Sequence, residues 1–250
     1  MTAGIAFEGV HKAFSGRPVL AGVSFEIPAG QVVFVIGRSG TGKSVLLKHV
    51  VGLLQPDAGR VRVDGALVSA MSERELFSVR RACAMVFQFP ALLDFLTIRE
   101  NLLFGLRASP GRLEDEGAVA REALRLVGLD TDCLDRFPTE LSHSTQKRIA
   151  VARALVLRPR HLLFDEPTTG LDPVAVSAVN ALIRDLSRRL GATAIVVSHD
   201  MHCALAIADR VLLLDEGRIV VDAPPGEMAA SGHPTATAFW REGVERRVGA

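Results

Sequence analysis

The feature that most constrains this chain is the segment from Gly37 to Ser44, which reads Gly-Arg-Ser-Gly-Thr-Gly-Lys-Ser. It fits the pattern G-x-x-x-x-G-K-[ST], and Gly40 adds a third glycine inside it. A β-branched apolar run, residues 31–36, comes before the segment, and an apolar helical pattern begins at Val45. A buried strand, a glycine-rich turn and a helix in this order predict a phosphate-binding loop.

The chemistry of this loop follows from its residue types. Backbone N–H groups of the turn and of the helix N-terminus can hold phosphate oxygens. Lys43 can reach the β- and γ-phosphates, and Ser44 can place a hydroxyl on Mg²⁺. We therefore expect the chain to bind a nucleoside triphosphate through Gly37, Arg38, Ser39, Gly40, Thr41, Gly42, Lys43 and Ser44.

Composition narrows the class of protein. With 29 basic and 28 acidic side chains the net charge of the 250 residues is +1, which gives no electrostatic case for nucleic acid as a partner. The apolar fraction of 48% is high, which favours burial against partners, yet no run reaches the roughly 18 apolar residues of a membrane helix. The N-terminus lacks the pattern of a signal peptide. Three scattered cysteines without C-x-x-C spacing predict a reduced compartment and no cysteine metal site, so we expect a cytoplasmic protein.

The chain reads as α/β alternation interrupted by helices. The first thirty residues predict antiparallel strands, and Asp64-Gly65 predicts a hairpin turn after an alternating strand. Ser72 with Glu75, and Thr97 with Glu100, have the form of capping boxes. We expect a single domain over residues 1–250: a nucleotide-binding core with a β-subdomain (1–88 and 158–221), a helical subdomain (89–157) and a C-terminal tail (222–250).

A second chemical signal is the apolar run 162–164 followed by Asp165, Glu166 and Pro167. If this strand lies beside the one that carries the phosphate loop, Asp165 can hold Mg²⁺ through its water shell. Glu166 is then placed to orient and deprotonate the attacking water. The alternative is a solvated acidic turn at the end of a strand.

Three further side chains fit the same site. Gln88 follows a predicted strand and can reach Mg²⁺ or the lytic water through its amide. His199 also follows a strand, at the sheet edge where α/β proteins bind ligands, and can hydrogen-bond the γ-phosphate. Phe14 can stack on a nucleobase, although a lone aromatic residue in a β-segment also fits a core position.

Together these residues resemble the nucleotide-binding subunit of an ATP-binding-cassette (ABC) transporter over nearly the whole chain. The resemblance implies a RecA-like P-loop ATPase core with an N-terminal antiparallel β-subdomain and an inserted helical subdomain. It also implies ATP and Mg²⁺ as cofactors, an integral-membrane permease as partner, and a place on the cytoplasmic face of the membrane. In the family's pattern Phe14 is the adenine-stacking aromatic, residues 37–44 the Walker A loop, Gln88 the Q-loop, Asp165 and Glu166 the Walker B pair, Asp172 the D-loop aspartate and His199 the switch histidine.

Shorter similarities indicate one branch of the family. Residues 42–48, 71–76 and 87–94 resemble the ATPases of lipid transporters that work with MCE proteins. That branch implies transport of phospholipid or another hydrophobic substrate, with an MCE-domain protein in the complex. A different class, soluble ABC ATPases of DNA repair or translation, commonly has tandem cassettes or long coiled-coil inserts, whereas this chain has one cassette and a short insert. The apolar segment 89–106 could receive a permease, or it could be ordinary packing in the helical subdomain.

The chain departs from the family at its signature. The family reads L-S-G-G-[QM], and here the segment is Leu-Ser-His-Ser-Thr from Leu141, so His143 and Ser144 replace both glycines. In a head-to-tail dimer this segment is expected to contact the phosphate held by the other subunit, where Ser142 and Ser144 can still offer hydroxyls. Three hypotheses follow: a homodimer that hydrolyses ATP slowly, which we favour, a heterodimer with another ATPase subunit, and a nucleotide-dependent clamp without turnover. Trp240, the one tryptophan, is expected to pack on the second subunit.

Overall fold

The computed structural model describes residues 3–107 and 115–248. Within them, no helix combines the length and apolar character needed to cross a membrane. The strands and helices, in chain order, are β1 (Ala3–Phe14), β2 (Arg17–Pro28), β3 (Val32–Ile36), α1 (Lys43–Val50), β4 (Ala58–Val63), β5 (Ala66–Leu67), α2 (Glu73–Ala82), β6 (Cys83–Val86), α3 (Ile98–Arg107), α4 (Glu116–Leu126), α5 (His143–Leu155), β7 (His161–Asp165), α6 (Pro173–Leu190), β8 (Thr193–Ser198), α7 (Met201–Ile207), β9 (Arg210–Asp215), β10 (Arg218–Ala223) and α8 (Pro234–Val248).

The main sheet has six strands in the order β10-β9-β3-β8-β7-β6. All neighbours from β9 to β6 run parallel, and β10 is antiparallel to β9. β3 lies inside the sheet, and each of its five residues is buried. This burial on both faces explains its unbroken β-branched and aromatic sequence, which is typical of a central parallel strand.

Side chains of the main sheet alternate between two cores. Phe34 of β3 and Phe164 of β7 point into a core that also contains residues of α3, α4, α5, α6, α7 and α8. Val35 and Leu163, their neighbours in sequence, point into the opposite core, which is closed by α1, α2 and the antiparallel strands. The α/β fold class and the antiparallel β-subdomain predicted from the sequence are therefore confirmed.

The antiparallel sheet has the order β2-β1-β4-β5. The hairpin between β4 and β5 turns at Asp64 and Gly65, whose φ angles are 49° and 81°. Two successive positive φ angles are the requirement of a type I′ turn, and Asp-Gly is a favoured sequence for it. The predicted hairpin is confirmed.

Both predicted capping boxes are present. Ser72 Oγ accepts from the N–H of Glu75, and Glu75 Oε2 accepts from the N–H of Ser72 at 2.8 Å. The same reciprocal pair joins Thr97 and Glu100 before α3. α3, α4 and α5 occupy the chain between β6 and β7, where the sequence predicts helices.

The C-terminal part is more regular than the sequence suggests. β10 continues to Ala223 within the main sheet, two residues beyond the predicted end of the core. α8 follows and packs against α7. Trp240 is half-buried against the core of its own chain, so its environment is explained without a second subunit.

Candidate active site

The order of the strands brings the predicted residues together. β3, β8 and β7 are parallel and lie in that order, so the loops at their carboxyl ends meet at one edge of the sheet. β8 lies between β3 and β7, so the expectation that the strand ending at Asp165 lies directly beside the strand of the phosphate loop is wrong. β3 leads into the loop before Lys43, β7 ends at Asp165, and β8 ends one residue before His199. β6 lies next to β7 at the edge of the sheet and is followed by Gln88.

The glycine-rich loop has a backbone that needs its glycines. Gly42, at the N-cap of α1, has φ 99°, and a Cβ there would lie 2.7 Å from Cγ1 of Val19. A Cβ at Gly37 would lie 2.4 Å from the carbonyl oxygen of Leu214 and 2.9 Å from Oγ1 of Thr41. All three distances are below any ordinary contact, so a side chain at either position would displace the loop.

Lys43 is buried at the centre of the loop, with 6% of its surface exposed. Its ammonium group donates to the carbonyl oxygens of Gly37 at 2.8 Å and Arg38 at 3.0 Å. Nζ also lies 3.7 Å from Oε1 of Glu166. Burial lowers the pKa of Lys43, and the negative charges of Glu166 and Asp165 oppose that effect. The cation is thus held between the carbonyl oxygens of the loop and the Glu166 carboxylate that follows β7.

Ser44 and Asp165 form the pair expected to hold magnesium. Ser44 Oγ donates to Oδ1 of Asp165 at 2.7 Å. Burial raises the pKa of Asp165, while the Ser44 hydroxyl and the charges of Lys48 and Lys43 act in the opposite direction. A hydroxyl and a carboxylate oxygen are ligands that Mg²⁺ prefers, and a buried carboxylate gains from a cation, so the residues fit the metal.

Glu166 sits at the centre of a small hydrogen-bond network. Its Oε2 accepts from Oγ1 of Thr169 at 3.1 Å and lies 2.9 Å from Nδ1 of His199. Its backbone has φ 49°, and its N–H donates to the carbonyl of Val197 at 3.0 Å. The neighbouring strand therefore fixes the backbone of Glu166, and two side chains fix its carboxylate.

These groups face one open cleft of about 510 Å³. Its lining includes nine of the residues predicted from the sequence: Phe14, Ser39, Gly40, Gly42, Lys43, Ser44, Gln88, Glu166 and His199. Phe14 is 43% exposed, and the ammonium group of Lys12 lies 5.7 Å from its ring centre. Its exposure favours a contact surface over the core position that the sequence left open.

Three of the predicted residues lie elsewhere. Ser142 caps α5, since its Oγ accepts from the N–H of Thr145 at 3.2 Å. His143 and Ser144 form the first turn of α5, where their N–H groups have no acceptor one turn earlier. Asp172 caps α6 by accepting from the N–H of Ala175. Ser142, Ser144 and Asp172 are absent from the lining of the cleft, so a role at a nucleotide would require a second subunit.

Sequence reasoning missed two side chains that act near Glu166. Thr169 donates its hydroxyl to the carboxylate, and a signal existed in its position three residues after Glu166. Lys147 of α5 is 5% exposed and donates to the loop after Glu166, which no pattern in the sequence indicated. A lysine in a helix is ordinarily a surface residue.

A Walker-type loop after β3, a carboxylate pair at the end of β7, and a helical insert between β6 and β7 define an ATP-binding cassette. The chain belongs to the ABC transporter family, since residues 20–169 match the family model described as "ABC transporter". As a member of that family it is an ATPase that binds ATP with Mg²⁺.

The chain has curated relatives along its length. It is 36% identical over 252 residues to the probable ribonucleotide transport ATP-binding protein mkl of Mycobacterium leprae, a match that covers all of this chain and 72% of mkl. It is 38% identical over 213 residues to the methionine import ATP-binding protein MetN of Mesorhizobium japonicum. That match covers 85% of this chain and 58% of MetN, so the chain spans little more than half the length of such relatives.

Solved structures agree with the family. The chain is similar to cbiO1 of Clostridium perfringens, which is described as part of the ABC transporter complex cbiONQ. The two structures superpose with a TM-score of 0.85 at 28% sequence identity, and the match covers 99% of this chain and 95% of cbiO1. The ATP-binding cassette MJ0796, a dimer in a post-hydrolysis state with ADP and Pi, has a TM-score of 0.81 at 29% identity. That match covers 88% of this chain and 98% of MJ0796.

Proposed function

We propose that this chain is the ATP-hydrolysing subunit of an ABC transporter and that it works as a homodimer on an integral-membrane permease at the cytoplasmic face of the membrane. We further propose an MCE-type complex that moves phospholipid or another hydrophobic substrate. The observation that carries the proposal is the convergence of Lys43, Ser44 and Glu166 on one cleft, with Asp165 hydrogen-bonded to Ser44 behind it.

Each side chain has a role in the proposed reaction. Ser44, Asp165 and the amide of Gln88 would hold Mg²⁺, which would supply positive charge to the phosphates of the nucleotide. Lys43 exchanges its loop carbonyls for phosphate oxygens. Glu166 accepts a proton from the attacking water, and His199, hydrogen-bonded to Glu166, donates to the γ-phosphate. Phe14 stacks on the base at the rim of the cleft.

A permease would dock on the segment that follows Gln88. Phe89, Phe95 and Phe104 are 71%, 75% and 56% exposed, values that are costly unless another surface covers them. Arg153 of α5 donates to the carbonyls of Pro90 and Ala91, which anchors the segment to the helices. Movement of a docked permease would thus reach both Gln88 and α5.

A heterodimer with a second ATPase is the other candidate, and the signature favours it. His143 is exposed at the N-terminus of α5, where the family has glycine. In a heterodimer the N-terminus of α5, with His143 in place of glycine, would face the nucleotide bound by the partner. The cleft of this chain would receive the signature segment of the partner. The glutamate at position 166 argues against a clamp without turnover, because a clamp needs no general base.

The test is ATP turnover by the purified chain, alone and with its co-purified permease in lipid nanodiscs. Glu166→Gln should lower kcat by about 10²–10⁴-fold, because it removes the general base and keeps the shape. Glu122→Gln, the same change on the surface of α4, is the matched control and should leave kcat unchanged. Turnover that survives Glu166→Gln would contradict the assigned mechanism.

The substrate is tested in the same nanodiscs. We expect added phospholipid to stimulate turnover, whereas ribonucleotides and methionine, the substrates in the names of the relatives, should not. Stimulation by either of those alone would refute the lipid assignment and leave the ATPase mechanism standing. Turnover that appears only with a second, different ATPase subunit would select the heterodimer.

A further inference from the structure

The buried lysine of α5 has contacts that point to a specific task. Nζ of Lys147 donates to the carbonyl oxygens of Pro167 at 3.2 Å and Thr169 at 2.6 Å. These two carbonyls belong to the loop that begins directly after Glu166. The side chain therefore crosses from the helix of the signature segment to the loop behind the proposed general base.

Burial of a cation in this position destabilises the fold. Lys147 is 5% exposed, and burial of an ammonium group is unfavourable unless its donors are satisfied. Burial lowers the pKa of Lys147, and the negative charge of Glu166 opposes the effect. An apolar residue would fill a buried helix face at lower cost, so the contacts made by the charge are the feature to explain.

The loop transmits those contacts to Glu166. Thr169, whose carbonyl Lys147 binds, donates its N–H to the carbonyl of Glu166 at 3.3 Å and its hydroxyl to Oε2 at 3.1 Å. Lys147 lies one helical turn after His143, the first residue of α5. A continuous set of contacts thus runs from the start of α5 to the Glu166 carboxylate.

We propose that Lys147 is a positioning residue, which holds the loop 167–169 so that Thr169 orients the Glu166 carboxylate, and which ties that orientation to the position of α5. The proposal rests on the assigned role of Glu166 as general base. It adds a route by which the contact of α5 with a second subunit's nucleotide would affect hydrolysis in this subunit's own cleft.

The first test compares Lys147→Met, which keeps length and removes the donors, with Arg148→Met on the same helix. Arg148 donates to the carbonyl of Gly128, away from the loop, and serves as the matched control. We expect Lys147→Met to lower kcat about tenfold or more with KM for ATP within about twofold, because Lys43 and Ser44 are untouched. If the Met variant does not fold, Lys147→Gln, which retains N–H donors, should fold and lower kcat about threefold or more.

The second test is a double-mutant cycle with Thr169→Val, which removes the hydroxyl that Glu166 accepts. If both residues act through one loop, the double variant should be no slower than the slower single variant. Amide hydrogen exchange of residues 166–171 should also accelerate in Lys147→Met and not in Arg148→Met, whether or not the chain turns over. Hydrogen exchange tests the role of Lys147 separately from the role of Glu166. Turnover that survives Glu166→Gln would refute Glu166 as the general base, whereas the exchange rates would still show whether Lys147 holds the loop 167–169.

Three results would overturn the proposal. These are a wild-type kcat in a folded Lys147→Met variant, additive effects in the cycle, and unchanged exchange in residues 166–171. A lower melting temperature with kcat and exchange at wild-type values would assign Lys147 a structural role alone.

Discussion

Restoring the two signature glycines should convert a slow ATPase into a faster one. The change is His143→Gly with Ser144→Gly, at the first two positions of α5. The helix start is already formed, because Ser142 caps it, and the N–H groups of His143 and Ser144 already lack acceptors within the helix. The glycines would let a phosphate approach these N–H groups closely, because the exposed His143 ring would otherwise stand between the N–H groups and the phosphate.

The two substitutions should have opposing effects on turnover and on stability. Recovering one donor to the γ-phosphate is worth about 2.7–4 kcal/mol in the transition state, or roughly 10²–10³-fold in kcat, by analogy with oxyanion donors. Two glycines in a helix cost at most about 2 kcal/mol of stability. For a chain of this size that loss lowers the melting temperature by about 4–8 °C. The variant should thus be less stable and faster.

The assay is steady-state ATP turnover at saturating MgATP, with melting temperature measured on the same samples. Glu73→Gly with Arg74→Gly places two glycines at the equivalent positions of α2 and is the matched control. It should melt lower without any gain in turnover. A rise of less than about threefold in the His143 and Ser144 variant, with the expected loss of melting temperature, would refute the idea that these side chains limit phosphate contact.

Three further predictions concern the core and the site. Trp240→Ala should lower the melting temperature by about 4–8 °C, which corresponds to a loss of roughly 2 kcal/mol in the free energy of unfolding. It should leave the dimer dissociation constant measured by sedimentation unchanged, because the ring packs on its own chain. A weakened dimer would contradict this. Burial raises the folded-state pKa of Asp165, so the stability it contributes is present at acid pH and is lost as pH rises through that raised pKa. Asp165→Asn should therefore raise the melting temperature of the nucleotide-free protein near pH 8, and the difference should shrink as pH falls. The variant should also lose stabilisation by MgATP, and a pH-independent difference in melting temperature would exclude the titration. Gly42→Ala should lower the free energy of unfolding measured in urea by about 1–3 kcal/mol, because Gly42 has φ 99° and an added Cβ would lie 2.7 Å from Val19. An unchanged free energy of unfolding would show that the loop can relax.

Local patterns in the sequence predicted those parts of the structure that local physics determines. The buried strand β3, the Asp64-Gly65 hairpin and both capping boxes depend on neighbouring residues, and each is present. The convergence of Lys43 and Glu166 could also be expected, because the parallel strands of one sheet present their carboxyl ends at the same edge, although β8 lies between β3 and β7.

Contacts between distant segments could not be predicted in this way. Lys147 is separated from Thr169 by 22 residues, and nothing in a helical pattern indicates that one lysine turns inward. The packing of Trp240 on its own chain is a second case, because a Pro- and Ala-rich tail gives no sign that α8 packs on α7. The residues that act through such contacts become visible only with the tertiary structure.

The left-handed backbone of Glu166 sets folding and catalysis against each other at a single position. Glycine and asparagine adopt a φ of 49° at lower cost than glutamate, so the chain would gain stability by replacing Glu166 with either of them. Both replacements would discard the carboxylate. Sequence optimisation for thermostability alone would therefore tend to remove the proposed general base, and this residue should be held fixed in any such redesign.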